Sequence, residues 1–201
     1  MIELPTDLPA DLVPLAWLLG VWEGTGVIDY HVGDTHYEGE FTHRVSFSHD
    51  GGPFLNYSAT AYTASVDGAP SRRLNSETGF WRLARPSLAS EPGPGLLPGL
   101  GDEIARTADD VELLRNADEG FDVEVSLVHS DGVSELYLGQ VKGPRVDIAT
   151  DAVVRTANAR HYAAATRIYG LVDGHLLWAW DIAALGRELG SHASARLAKV
   201  S

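Results

Sequence analysis

The chain of 201 residues contains no cysteine. Disulfides, thiolate nucleophiles, iron–sulfur clusters and cysteine-ligated zinc are therefore excluded. Positive charge is scarce: Lys and Arg number 15 against 28 Asp and Glu, a formal net charge of −13. Such a surface repels phosphate backbones and anionic lipid headgroups, which argues against nucleic acid and membranes as partners. No apolar run approaches the roughly 20 residues that cross a bilayer. The opening MIELPTDLPADL is acidic and lacks the basic stretch of a secretory leader, so a cytoplasmic protein is expected. The eight histidines remain as nitrogen ligands for a metal, with Asp and Glu as the anionic ones.

The remaining composition is that of a globular chain, 44% hydrophobic and 21% charged. At about 150 residues per domain, 1–201 corresponds to one domain. Residues 5–19 have an apolar side, but Pro5, Pro9 and Pro14 interrupt it, so short helical turns are expected there. Beyond Gly20 apolar and polar residues alternate and turn signals recur, the pattern of strands in hairpins. Strands are expected at 21–31, 36–48, 54–66 and 71–85, separated by Gly33-Asp34, Asp50-Gly51-Gly52 and Asp67-Gly68.

The alternation stops at 86–120, which holds four of the ten prolines and then an acidic stretch. This segment reads as a flexible loop inserted into a hairpin, with a short helix near 102–116. Strand rhythm resumes at 121 and continues to the end through turns at Ser130-Asp131-Gly132, Lys142-Gly143-Pro144 and Asp173-Gly174. About ten strands with no room for crossover helices imply an all-β, antiparallel, up-and-down sheet. Such a sheet closes to remove its edges, and a barrel of ten strands leaves an internal cavity.

Several residues invite chemical readings. Gly20-Val21-Trp22-Glu23-Gly24-Thr25-Gly26 has the form GxWxGxG. A phosphate-binding loop would need a preceding strand and a following helix. Here the motif instead opens the first strand, with Trp22 packing into the barrel bottom and Gly24 and Gly26 easing the backbone. Glu38 and Glu40 share a strand face and Glu23 lies nearby, but a solvated face explains them better than a glycosidase carboxylate pair. His43 and His49 share the odd face of the second strand without a third metal partner. His192 follows a Gly-Ser turn at the start of the last strand, at a barrel mouth. On spacing alone it is an exposed or capping histidine before it is a ligand to a metal or haem iron.

GxWxGxG, followed by SFSHDGGPFLNYSATAY, SETGFWR, GVSELYLGQV, ATDAVVRTANAR and RIYGLVDGHLLWAWDIAALGRELGSHASARL, resembles the nitrobindins over about 20–85 and 121–200. The resemblance implies a ten-stranded barrel similar to fatty-acid-binding proteins, with one ferric haem b near its opening. It implies isomerisation of peroxynitrite to nitrate and binding of nitric oxide. The family's proximal ligand is the His of a C-terminal H-x-S-A-R-L, here His192, on which catalysis would rest. The basic residue beside the haem falls on Arg160, suited to pairing with a propionate. A haem-contacting Thr corresponds loosely to Thr35. The family has no distal histidine and presents an apolar wall to the sixth position.

Two features depart from the family's pattern. The 86–120 insertion is expected to cover or block the mouth. His31 and His36 lie near the same opening, as surface residues or as a second nitrogen ligand. Two other functions compete with haem chemistry. In one, the barrel is a haem-free carrier of a fatty acid or other apolar molecule, with Arg82, Arg160 or Arg167 anchoring a carboxylate. In the other, a fully packed barrel serves as an interaction module through its acidic insertion. Expected partners are small molecules (peroxynitrite, nitric oxide or an apolar ligand), with homodimerisation left open.

Overall fold

The computed structural model describes residues 8–64, 71–102 and 104–200. Ten strands follow in order: β1 (Gly20–Val32), β2 (Thr35–Ser48), β3 (Leu55–Thr63), β4 (Arg73–Leu83), β5 (Phe121–His129), β6 (Val133–Lys142), β7 (Arg145–Arg155), β8 (Tyr162–Val172), β9 (His175–Ala184) and β10 (Gly190–Lys199). Each pairs antiparallel with the next, and β1 pairs with β10 to close the barrel. This is the all-β, ten-stranded, up-and-down barrel that the alternation implies. The Asp67-Gly68 turn and residues 5–7 of the expected helical segment lie outside the described residues.

Burial follows the period of two. On β5, Val123, Val125 and Leu127 are buried while Asp122, Ser126 and Val128 are exposed. At one end a 3-10 helix at Ala10–Leu18, with Pro14 inside it, closes the barrel. Leu12, Leu15 and Leu18 are fully buried there, each contributing about 1.5–3 kcal/mol of apolar burial. Gly20, at φ 120°, turns the chain from this plug into β1. Trp22 follows, with its indole Nε1 donating to the Leu18 carbonyl at 2.7 Å. Gly24 and Gly26 lie where the closing seam is tightest. A Cβ at Gly24 would sit 2.2 Å from the Arg196 carbonyl oxygen, and one at Gly26 would sit 2.4 Å from both the Phe41 ring and the Ser194 carbonyl oxygen. The GxWxGxG motif is thus a packing device at the β1–β10 seam.

The insertion is not at the mouth. Because every hairpin reverses the chain, the β4–β5 connection falls at the same end as the 3-10 helix. There it forms a short 3-10 turn at Pro94–Leu96 and α1 (Ala108–Glu112), whose Thr107 cap accepts from the Asp110 backbone N–H. Val111 is buried against the core. Arg85 ties the insertion to the plug through Asp11 (2.5 Å) and Glu91 (2.7 Å). The opposite end is therefore free of this insertion. Its described rim comprises the β1–β2, β5–β6, β7–β8 and β9–β10 turns.

Towards that mouth the wall parts. β7 and β8 pair only over Arg145–Ala149 and Thr166–Gly170. Above that, β7 stays with β6 and β8 with β9. The Thr150 hydroxyl bridges the gap by accepting from the Ala165 backbone N–H at 3.0 Å.

Candidate functional site at the barrel mouth

A cavity of about 210 Å³ opens at this end, lined by Ile28, Phe41, His43, Trp178, Trp180 and His192 among others. His192 reaches it through an irregularity. On β10, Ala193 lines the cavity and Ala195 and Leu197 are buried, so strict alternation would turn His192 outward. Ser191 opposes Asp181 but Ala193 opposes Trp180, so His192 is the extra residue of a β-bulge. The bulge re-aims the imidazole into the cavity. Its ring lies edge-on to Tyr30 (centroids 5.0 Å apart) and Trp180 (5.5 Å). Burial, and then the Arg167 charge, lower its pKa to about 4, so the ring is neutral at physiological pH. Its Nδ1 is buried without a hydrogen-bond partner.

The two other lining histidines are committed elsewhere. His43 Nδ1 accepts from the Trp178 indole at 3.0 Å. Burial lowers its pKa to about 4 as well, so its proton sits on Nε2. His129 is held by Glu135 at 2.5 Å and Glu77 at 3.3 Å. A neutral imidazole with an unspent nitrogen, in a cavity walled by aromatic rings, is what an iron-bearing macrocycle requires from its proximal side. The nitrogen of Trp180 is likewise buried and unpartnered.

The chain matches the THAP4-like, heme-binding beta-barrel domain over residues 11–199. It belongs to this haem-binding barrel family. A relative from Leifsonia xyli subsp. xyli is 62% identical over 99% of both chains, and one from Clavibacter michiganensis subsp. michiganensis is 60% identical over the full length of both. Both are named peroxynitrite isomerase. The crystal structure of Rv2717c from M. tuberculosis is similar, with a TM-score of 0.68, 25% identity, and coverage of 99% of this chain and 100% of that one.

The other residues singled out in the sequence divide by position. Arg160 is exposed in the β7–β8 turn, where its carbonyl accepts from Arg155. Thr35 opposes Val32 at the tip of the β1–β2 hairpin and is exposed. Both stand at the mouth end, and neither lines the cavity. His31 and His36 are a directly opposed pair on the outer face, stacked on each other, and offer no nitrogen to the interior. Glu38 and Glu40 are exposed on the outer face, and Glu23 pairs with Arg44 there. His43 faces inward on β2, whereas His49 lies beyond the strand's end.

Sequence reasoning missed a buried ionic network beside the cavity. Arg167 donates to both Glu77 oxygens (2.6 and 2.9 Å) and to the Tyr137 hydroxyl (3.0 Å), and lies 3.4 Å from Glu135. Burial raises the pKa of Glu77, but the Arg167 charge and hydrogen bonds outweigh it and hold the carboxyl well below the usual range. Glu135 is also lowered; burial opposes the shift, and His129 and Arg167 drive it. A guanidinium so fully engaged cannot also anchor a ligand carboxylate. Arg82 is outside the barrel on Glu124 (2.6 Å) and Arg160 is on the rim. Among the described residues, the carboxylate anchor that an apolar carrier would use is therefore missing from the interior. Nor is the interior fully packed, as an interaction module would have it.

Proposed function

We propose that the protein binds one haem b through His192 and isomerises peroxynitrite to nitrate. The observation that carries this reading is the bulge-directed, neutral imidazole of His192, which lines the cavity and whose buried Nδ1 has no hydrogen-bond partner. Membership of the haem-binding family and the names of the full-length relatives support it.

Held by His192, a haem would supply ferric iron, a Lewis acid for anionic peroxynitrite and a site for nitric oxide. The chain supplies the rest. Burial keeps His192 deprotonated and available as a ligand. Tyr30 and Trp180 meet its ring edge-on and fix its plane. Ile28, Phe41, Ile182 and Ala193 give the cavity an apolar lining on one part of its wall, with His43, Glu77 and Arg167 on another. The reaction moves an oxygen within one anion and requires no net proton, so no general base is assigned. At about 210 Å³ the cavity is smaller than those that enclose a drug-sized ligand. Haem binding would therefore draw on the parted mouth between β7 and β8 as well as on the cavity. Arg160 is proposed to pair with an anionic propionate there, and Thr35 to make a polar rim contact.

Hemin titration of the purified protein tests the reading. A Soret band saturating at one equivalent, with peroxynitrite decay accelerated and nitrate as product, is expected. Saturable hemin binding without faster conversion to nitrate would leave a haem protein of another function.

A further inference from the structure

Outside the cavity wall, β1 and β2 carry two directly opposed pairs near the hairpin tip, His31 against His36 and Asp29 against Glu38. Tyr30, between Asp29 and His31, points inward and donates its hydroxyl proton to the Ala184 carbonyl at 3.0 Å. The four side chains therefore form a block on the outer face. The imidazoles stack with centroids 3.9 Å apart and 8° between their planes. His36 Nε2 lies 2.9 Å from the Asp29 carboxylate, and His36 Nδ1 lies 3.7 Å from that of Glu38. One ligand atom from each of Asp29, His31 and His36 falls within a common span of 4.8 Å.

We propose that this block is a divalent transition-metal site that takes Zn²⁺ through His31, His36 and Asp29, with Glu38 orienting His36. The stack sets two imidazoles side by side with the Asp29 carboxylate beside one of them, and imidazole is the commonest protein ligand of such metals. Two nitrogens with one or two carboxylates suit zinc and its neighbours, whereas calcium and magnesium call for oxygen cages. Zinc–nitrogen bonds of about 2.0–2.1 Å put tetrahedral donors about 3.3 Å apart. Joint ligation requires one of the two exposed rings to rotate out of the stack so that both ring planes meet at the metal, a side-chain movement that leaves the backbone in place. The backbone beneath is fixed by the ladder from Asp29–Glu38 to Val32–Thr35 and the tight turn at Gly33, φ 56°. A carboxylate against a ligating imidazole is the usual outer support of such sites, and the net charge of −13 concentrates cations around the chain. The site lies on the far side of the wall from His192 and does not depend on haem.

Calorimetry with ZnCl₂ on tag-free, haem-free protein tests it. The wild type should bind one Zn²⁺ per chain. His31→Gln, His36→Gln and Asp29→Asn should each weaken binding at least tenfold, while His161→Gln, an exposed histidine of the β7–β8 turn, should leave it unchanged. MgCl₂ should give no binding heat. Each variant should retain the wild-type circular dichroism spectrum and hemin titration, which separates loss of the metal site from loss of the fold or of the haem reading. The proposal is overturned if wild type takes up no zinc, or takes it up as well after His31→Gln and His36→Gln are combined.

Discussion

The rings of Trp180 and His192 stand at 82° with centroids 5.5 Å apart, while the guanidinium of Arg167 lies over the same indole, 4.2 Å from its centroid. Trp180 thus joins two parts of the barrel that have different tasks. On one side is the imidazole at the mouth. On the other is a buried ionic network, Arg167 with Glu77 and Glu135, that pins β8 to β4 and β6. The bulge aims His192, and Trp180 places its ring beside that network.

Removing Arg167 should be costly. Arg167→Met leaves Glu77 and Glu135 as buried carboxylates without their main counter-charge, an expected loss of about 3–5 kcal/mol. Arg167→Lys keeps the charge but not the bidentate geometry and should fall between. Arg82→Ala breaks only an exposed pair with Glu124, and should cost at most about 1 kcal/mol. Urea unfolding of the three variants checks the order. Equal losses for Arg167→Met and Arg82→Ala would contradict it.

Stability should fall on mild acidification. An unfolded histidine protonates near pH 6.5, whereas burial keeps His43 and His192 neutral down to about 4. Between these values the unfolded chain binds more protons, so the stabilising contribution is complete above pH 6.5 and is lost as pH drops towards 4. Glu77 and Glu135 have pKa values lowered from 4.5. Their contribution is present above pH 4.5 and is lost below it, in the same direction. Urea midpoints measured from pH 7 to 4 should decline, and His43→Gln should make the decline between 6.5 and 4 shallower. A flat profile over that range would contradict the assignment.

The glycine motif should behave as a seam. Gly24→Ala places a methyl group 2.2 Å from the Arg196 carbonyl oxygen, which cannot move without opening the β1–β10 ladder. A loss of about 1–3 kcal/mol is expected, with Gly26→Ala similar. At Gly170 the nearest atom to an added methyl is 3.8 Å away, so Gly170→Ala should change little beyond backbone entropy. Thermal melts compare them directly.

Much of the barrel is legible in the sequence because alternation and Asp-Gly turns are local signals. The observed β2 starts one residue before the 36–48 read from the pattern and ends with it, and β5 starts at the expected Phe121. What failed was non-local. Composition alone does not say which end of the barrel the 86–120 insertion covers; strand parity in an up-and-down barrel puts the β4–β5 connection at the plugged end with the 3-10 helix, not at the mouth. The inward aim of His192 rests on a one-residue slip against β9, which alternation along β10 would contradict. Glu135 shares a face with Val133 and Tyr137 and so reads as inward, but its meeting with Glu77, Arg167 and His129 depends on register across β4, β5, β6 and β8. The burial of His43 against Trp178, 135 positions away, is equally beyond a local reading.

The central claim is that His192 is the ligand, and the absorbance spectrum of hemin-loaded His192→Gly tests it most directly. The variant, shown to be folded by circular dichroism, should lose the wild-type Soret position and bind hemin at least tenfold more weakly. Added imidazole should restore the band by filling the vacated place beside Trp180. A wild-type spectrum and affinity in His192→Gly without imidazole would contradict the account.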